Sequence, residues 1–206
     1  MKKTKVIIGL IILAIVVSGC TRTKPQEESE EQGQTEFTAE SPESPEKPNK
    51  LIIFYSLSNN TRFVAEQIQS LTGADIFELQ TAEPYPEDYN ATLERARNER
   101  EAGYLPPLAQ GIDNLDDYDI IFIGSPNWFS NLALPVLSFL ETHDLSGKTV
   151  IPFITFGRGG FQNTVTGLKE RLPDAVFLEE FGVTGAEAKN SLSDISKWLE
   201  NLENLL

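Results

Sequence analysis

The chain has 206 residues, 40% of them hydrophobic, with one Cys, one His and 31 acidic against 17 basic side chains, a formal charge of −14. That length suffices for one good core, and 12 Phe with two Trp do not suit wholesale disorder. The shortage of sulfur excludes a disulfide framework and cysteine-ligated zinc or iron–sulfur sites, the single His removes most metal and triad chemistry, and ungathered Lys and Arg argue against a nucleic-acid partner.

Lys2, Lys3 and Lys5 precede an apolar run from Val6 to Val17, too short and one-sided for a membrane-spanning helix, with small Ser18 and Gly19 after it. This is the pattern of a secretory signal over residues 1–19. Val17-Ser18-Gly19-Cys20 resembles the bacterial lipobox, in which the Cys becomes the mature N-terminus and carries lipid. The alternative is a retained signal anchor with an incidental Cys. The lipobox resemblance implies a lipidated Cys20, and residues 20–49 are then that Cys and an acidic tether: from Thr21 to Asn49 the only large apolar residue is Phe37, and eight Glu face three cations. Such a stretch cannot offset the entropy of folding, repels an anionic membrane surface and reaches on the order of 30 Å as a coil.

Residues 50–206 hold 11 basic and 23 acidic side chains and read as one domain. Leu51-Ile52-Ile53-Phe54-Tyr55 is a continuous apolar run, as in a strand buried on both faces. The polar segment Ser56–Thr61 opens a helix whose apolar face is Val64, Ala65, Ile68 and Leu71. Ala74–Leu79 alternates and suits an edge strand; Asp88–Ala102 is charged and suits a solvated helix. Asp119–Gly124 and Val150–Thr155 are two more buried strands, the second despite Pro152, and each precedes a loop and a helical segment. Val176-Phe177-Leu178 begins a fifth strand, and Leu192, Ile195, Trp198, Leu199, Leu202 and Leu206 line the inner face of a closing helix. Alternating strands and helices predict an α/β fold with a parallel sheet, helices on both faces and a ligand crevice at the strands' carboxyl ends.

The chemistry is sought at those ends. Ser56, Ser58, Asn59, Asn60 and Thr61 surround the start of the first helix, where free N–H groups and the helix dipole favour an anion such as a phosphate monoester. Capping alone would need one such residue, not five. No Lys stands in the loop, so this is not a Walker cradle. The segment Ser56-Leu57-Ser58-Asn59-Asn60-Thr61 resembles the phosphate loop of flavodoxins, T/S-x-T-G-x-T, with Asn59 in place of Gly. Asn tolerates the left-handed backbone that such a turn requires.

Gly124-Ser125-Pro126-Asn127-Trp128-Phe129 resembles that family's first flavin-flanking loop, G-x-P-x-W-W, and Thr155-Phe156-Gly157-Arg158-Gly159-Gly160-Phe161 resembles the second. The resemblance implies that Pro126, Asn127, Trp128 and Phe129 flank the ring on one side. Trp128 offers a stacking face, while Phe129 suits ligand or core equally. Thr155, Phe156, Gly157, Arg158, Gly159 and Gly160 would meet the pyrimidine edge, with Arg158 facing either ring or solvent. Pro84-Tyr85-Pro86 to Pro107 and Gly147-Lys148-Thr149-Val150 extend the likeness over the whole stretch from Leu51 to Leu206.

The family's fold is a three-layer doubly wound five-stranded parallel sheet, order 2-1-3-4-5, and its cofactor is FMN. Neither a G-x-S-x-G elbow nor a Cys–His pair is present, so no residue is assigned as catalytic, and His143 reads as a surface cap. The expectation is a lipid-anchored extracytoplasmic electron carrier or reductase, whose partner is a redox protein or a small acceptor. The alternative is a flavin-free binding lipoprotein of the same fold, and phosphate hydrolysis is a remote third.

Overall fold

The computed structural model describes residues 48–202; the signal, Cys20, the tether before Pro48 and Leu206 lie outside these residues. Among the described residues no helix is long and apolar enough to cross a membrane. The chain runs β1 (Lys50–Phe54), α1 (Asn60–Thr72), β2 (Asp75–Glu78), α2 (Tyr89–Glu101), β3 (Ile120–Trp128), β4 (Asn131–Leu132) and α3 (Leu134–Thr142). It continues with β5 (Thr149–Phe156), α4 (Thr164–Arg171), β6 (Val176–Phe177), β7 (Phe181–Thr184) and α5 (Leu192–Leu202). The sheet order is β2-β1-β3-β5-β6, with β7 also parallel to β5 and β4 antiparallel to β3. That is the expected parallel topology, its fifth strand split into β6 and β7 and a hairpin added by β4.

Strands buried on both faces need apolar residues at every position, and β1 shows why. Leu51 and Ile53 join Ile121, Ile123 and Ile154 beneath α3 and α4, while Ile52 and Phe54 join Phe122, Ile151 and Phe153 beneath α1 and α5. Edge strand β2 pairs only with β1 and is mostly exposed, as its alternation implies. Asn49, at the tether's end, already belongs to the fold: its N–H donates to Asp119 Oδ2 (3.1 Å) and its Nδ2 to the Asp117 carbonyl (2.9 Å).

Two prolines lie inside central strands. Alternate residues of a strand direct their backbone groups to the same neighbour. The Val150 carbonyl accepts from Leu178 N–H on the fifth-strand side, so Pro152 faces that side too, where pairing lapses between β6 and β7. The Gly124 carbonyl accepts from Tyr55 N–H on the β1 side, so Pro126 faces a position that β1 has already left. Each missing donor falls where no acceptor is offered.

The segment Gly124–Trp128, expected as loop, extends β3, with Ser125 and Pro126 paired to Ile154 and Thr155. Leu192, expected on the inner face of α5, is 48% exposed at the helix start, whereas Ile195, Trp198, Leu199 and Leu202 are buried. His143 caps α3 as expected: its ring stacks on Phe139, with centroids 4.3 Å apart, and its Nδ1 lies 3.0 Å from the Phe139 carbonyl.

Candidate functional site

The carboxyl ends of β1, β3 and β5 carry the three segments singled out in the sequence. At the first, Asn59 adopts the left-handed backbone (φ 62°) at the N-terminus of α1 and offers no side-chain cap. The turn therefore forms with Asn where the motif has Gly. Arg62 N–H donates to Ser56 Oγ (3.2 Å), and Asn60 Nδ2 donates to Ser58 Oγ (3.2 Å). Among the described residues, the backbone N–H groups of Ser58, Asn59, Asn60 and Thr61 donate to no protein acceptor. Four free donors at one positive helix end form a cradle for a dianion. Ser56 and Ser58 use their oxygens as acceptors and keep hydroxyl protons to donate.

Thr61 is buried, and its hydroxyl lies 2.8 Å from that of Thr155. It is a tie between α1 and the end of β5. Beside it, a Cβ on Gly185 would lie 2.6 Å from Asn60 Nδ2, so glycine lets the chain after β7 pass close to the cradle.

The second segment is the hairpin β3–β4. Phe129 (φ 52°) and Ser130 (φ 64°) are both left-handed, the geometry of a primed two-residue turn that normally takes Asn or Gly. Ser125, buried in β3, accepts from Ala133 N–H (3.0 Å) and so fixes where α3 begins. A side chain in left-handed backbone costs about 1–2 kcal/mol, while glycine's extra freedom costs roughly 0.5–1 kcal/mol. Ser130→Gly is accordingly expected to raise the unfolding free energy by about 0.5–1 kcal/mol, seen as a higher urea midpoint at unchanged slope.

Trp128 is half-buried. Its ring meets Tyr55 (centroids 5.5 Å, 84°) and Tyr85 (5.2 Å, 86°) edge-on. Tyr85 donates to Glu99, whose carboxylate also accepts from Arg95 Nε (2.8 Å), and the Arg95 guanidinium lies 4.5 Å from the Tyr85 ring centre. This network holds charged α2 against the end of the sheet, although only Thr92 and Ala96 of that helix are buried. Burial pushes the Tyr55 and Tyr85 phenols well above the usual range, helped at Tyr85 by the hydrogen bond to Glu99. Phe129 is the exposed aromatic of the pair, with the Arg97 and Arg100 guanidinium carbons 5.9 and 5.8 Å from its ring centre.

The third segment follows β5. Phe156 meets Phe161 edge-on (5.5 Å, 69°), Gly157, Arg158 and Gly159 are exposed, and Gly160 takes φ 68°. A Cβ on Gly157 or Gly160 would meet nothing within 4 Å, so the backbone there is open to a ligand edge. Among the described residues no carboxylate pairs with Arg158. Asn127 ties the second segment to the third: its Nδ2 donates to the Gly160 carbonyl (2.8 Å) and lies 3.2 Å from Gln162 Oε1. The structure thus brings Ser56–Thr61, Asn127 and Thr155–Gly160 together through named bonds, and sets Trp128 at their flank.

Sequence reasoning missed Tyr55, Tyr85, Ser125 and Gly182. Gly182 in β7 has the signal of a glycine inside an alternating strand: a Cβ there would lie 2.3 Å from Phe161 Cζ and 2.8 Å from Phe156 Cε1. Its bareness seats the aromatic pair that carries the third segment.

The flavodoxin family profile matches residues 49–202. The chain belongs to the flavodoxin family. Similar solved structures include a presumed flavoprotein from Bacteroides eggerthii (28% identity, 73% of this chain, 99% of that one, TM-score 0.61). A second, from Bacteroides uniformis, has 25% identity over 73% of this flavodoxin-family chain and 98% of the other, with TM-score 0.65. A flavoprotein from Lactobacillus acidophilus, solved in complex with FMN, has 23% identity over 74% and 99% of the two chains, with TM-score 0.58. No curated protein matches significantly.

Proposed function

We propose that this flavodoxin-family chain binds FMN and carries electrons, or reduces a small acceptor, while held by lipid on Cys20 at the extracytoplasmic face of a cell membrane. The observation that carries the reading is the cradle of four free N–H groups at Ser58–Thr61, tied by Thr61–Thr155 and Asn127–Gly160 to two further segments. A terminal phosphate suits the cradle, and open backbone at Gly157 and Gly160 suits the edge of a flat ring. An FMN-complexed relative of the same fold supports the match. FMN, when bound, accepts a hydride or an electron pair and releases electrons singly. The chain's own share is to bind, orient and tune. Arg158, exposed and unpaired among the described residues, brings positive charge to the ring's expected edge and would favour its anionic reduced form. The lipid anchor rests on the lipobox-like segment before Cys20, and the acidic tether would hold the domain clear of an anionic surface.

The test is a titration of the full-length chain with FMN and with riboflavin, followed by quenching of flavin fluorescence. The phosphate's charge-assisted bonds predict FMN binding at least about tenfold tighter than riboflavin. Arg158→Ala should lower the reduction potential with little change in FMN affinity. A chain that ignores FMN, or binds both flavins equally, defeats the cofactor reading. Loss of membrane association in Cys20→Ser tests the anchor separately.

A further inference from the structure

Two arginines from different helices meet at strand β4, and no acid pairs with either. Arg100, in the last turn of α2, donates from Nη2 to the Leu132 carbonyl (2.8 Å). Arg171, in the last turn of α4, donates from Nη1 to the Gly167 carbonyl (2.9 Å). The same Nη1 and Asn131 Oδ1 each lie 3.5 Å from the point where a Cβ on Gly167 would stand. Arg100 thus reaches one residue of β4, and Arg171 lies beside the other. Arg97 stands three positions before Arg100, which puts both on one face of α2. Their guanidinium carbons lie 5.9 and 5.8 Å from the Phe129 ring centre, at the turn that leads into β4.

A cation in the last turn of a helix complements the dipole, which accounts for Arg100 or Arg171 taken singly. It does not account for gathering them. Among the described residues none of the three arginines forms an ion pair, although acids outnumber bases 23 to 11 in residues 50–206. Arg100 is half-buried, and its Nε is buried without an acceptor. Burial first, and repulsion by Arg171 second, push the Arg100 pKa down. A cation so placed is stabilised by a counter-ion, and the described residues supply none. Gly167 leaves room for one: glycine weakens a helix interior, yet an added Cβ would make only ordinary contacts here, so packing does not call for it.

Three guanidinium groups from two helices suit an ion with several oxygens and more than one charge, and the planar fork matches phosphate oxygens in pairs. The domain's own excess of acid sets the size of the ligand. It repels an extended polyanion such as a membrane surface or a nucleic acid, whereas a small ion responds mainly to the charges within a Debye length of about 10 Å. We infer that Arg97, Arg100 and Arg171 form a site beside β4 for a phosphate-type oxyanion carried by a small soluble ligand. The site is separate from the N–H cradle at the start of α1, and the inference does not rest on the FMN reading.

Inorganic phosphate is the probe, and acetate is the singly charged comparison. Both are titrated calorimetrically into the full-length chain at constant ionic strength, with and without saturating FMN. Phosphate should bind at least about tenfold tighter than acetate, and should still do so with FMN present. Arg171→Gln should weaken phosphate by about fivefold or more, and the more exposed Arg97→Gln by about threefold. Arg171→Lys, which keeps the charge without the fork, should fall between Arg171→Gln and the unmodified chain. Because Arg100 also holds Leu132, the variants at Arg97 and Arg171 supply the reading if Arg100→Gln fails to fold. No saturable phosphate binding in a cooperatively folded chain, no preference over acetate, or indifference to Arg171→Gln overturns the proposal. So does complete displacement of phosphate by FMN, which would assign all of the binding to the cradle at α1. A chain that ignores FMN defeats the cofactor reading alone: phosphate held in the cradle is then insensitive to Arg171→Gln, and the component that Arg171→Gln weakens still measures this site.

Discussion

Gly124→Ala is expected to lower the unfolding free energy by about 3 kcal/mol or more, and in a marginally stable domain to prevent folding. Gly124 sits in central strand β3, in register with Phe54 of β1 and Phe153 of β5. The two neighbours' side chains close over the bare position: an added Cβ would lie 2.1 Å from Phe153 Cζ and 2.7 Å from Phe54 Cβ. Phe153 is fully buried and Phe54 is 2% exposed, among Ile52, Phe122 and the residues of α1 and α5. A close-packed interior gives neither ring a vacant rotamer. The methyl group must therefore push a strand or a ring out of place. Gly157→Ala, whose added Cβ meets nothing within 4 Å, is the matched control and should leave the melting midpoint nearly unchanged. A Gly124→Ala chain that melts with the unmodified chain would refute the packing described here.

The sheet was legible because burial on both faces leaves little choice of residue: Leu51–Tyr55 and Asp119–Gly124 need apolar side chains at nearly every position, and such runs stand out. What followed each run was less legible. Gly124-Ser125-Pro126-Asn127 carries every mark of a chain break, yet β3 continues through it. One partner strand, β5, runs that far, and the donor that Pro126 lacks has no strand to serve. Glu179 and Glu180 similarly hide the continuation of the fifth strand, which pairs at Phe181–Thr184 after a gap that accommodates Pro152. Helix α2 showed its existence but not its purpose, because Arg95, Glu99 and Tyr85 fasten it by polar contacts that leave no hydrophobic stripe.

For the candidate site, the residue types pointed to strand ends that the structure brings together, but not to the contacts each side chain makes. Thr61 looks like a phosphate ligand in sequence, and in the structure its hydroxyl also lies 2.8 Å from that of Thr155, while the free donors beside it are backbone N–H groups that any sequence possesses. Asn127 turns its amide to the third segment, a contact spanning 33 residues that no local pattern encodes. Only Asn59 could be foreseen in detail, since a left-handed turn asks for a property of the residue itself.

The tyrosines behind Trp128 give the second large effect, a steep loss of stability above pH 10. Tyr55 and Tyr85 are buried (6% and 8% exposed) and meet each other and Trp128 edge-on. Burial raises both phenols above their ordinary value of 10.0, and Glu99 raises Tyr85 further by its hydrogen bond and its charge. A group whose folded-state pKa is raised holds its proton in the native chain after the unfolded chain has released it. Its contribution is therefore complete below pH 10 and is lost as pH rises from there toward the folded value. Each such proton changes the unfolding free energy by about 1.36 kcal/mol per pH unit, so the pair should impose a slope of roughly 2.7 kcal/mol per unit. Urea titrations at stepped pH from 9 upward measure it. Tyr118, half-buried and bonded to Asp75, is likewise raised above its ordinary value by that hydrogen bond. The decisive quantity is therefore the difference from Tyr55→Phe/Tyr85→Phe, which keeps both rings and removes both ionisable groups. Its curve should stay flatter by the stated slope. Parallel curves would mean that the phenols reach water in the native chain, and that the aromatic wall behind Trp128 is not closed.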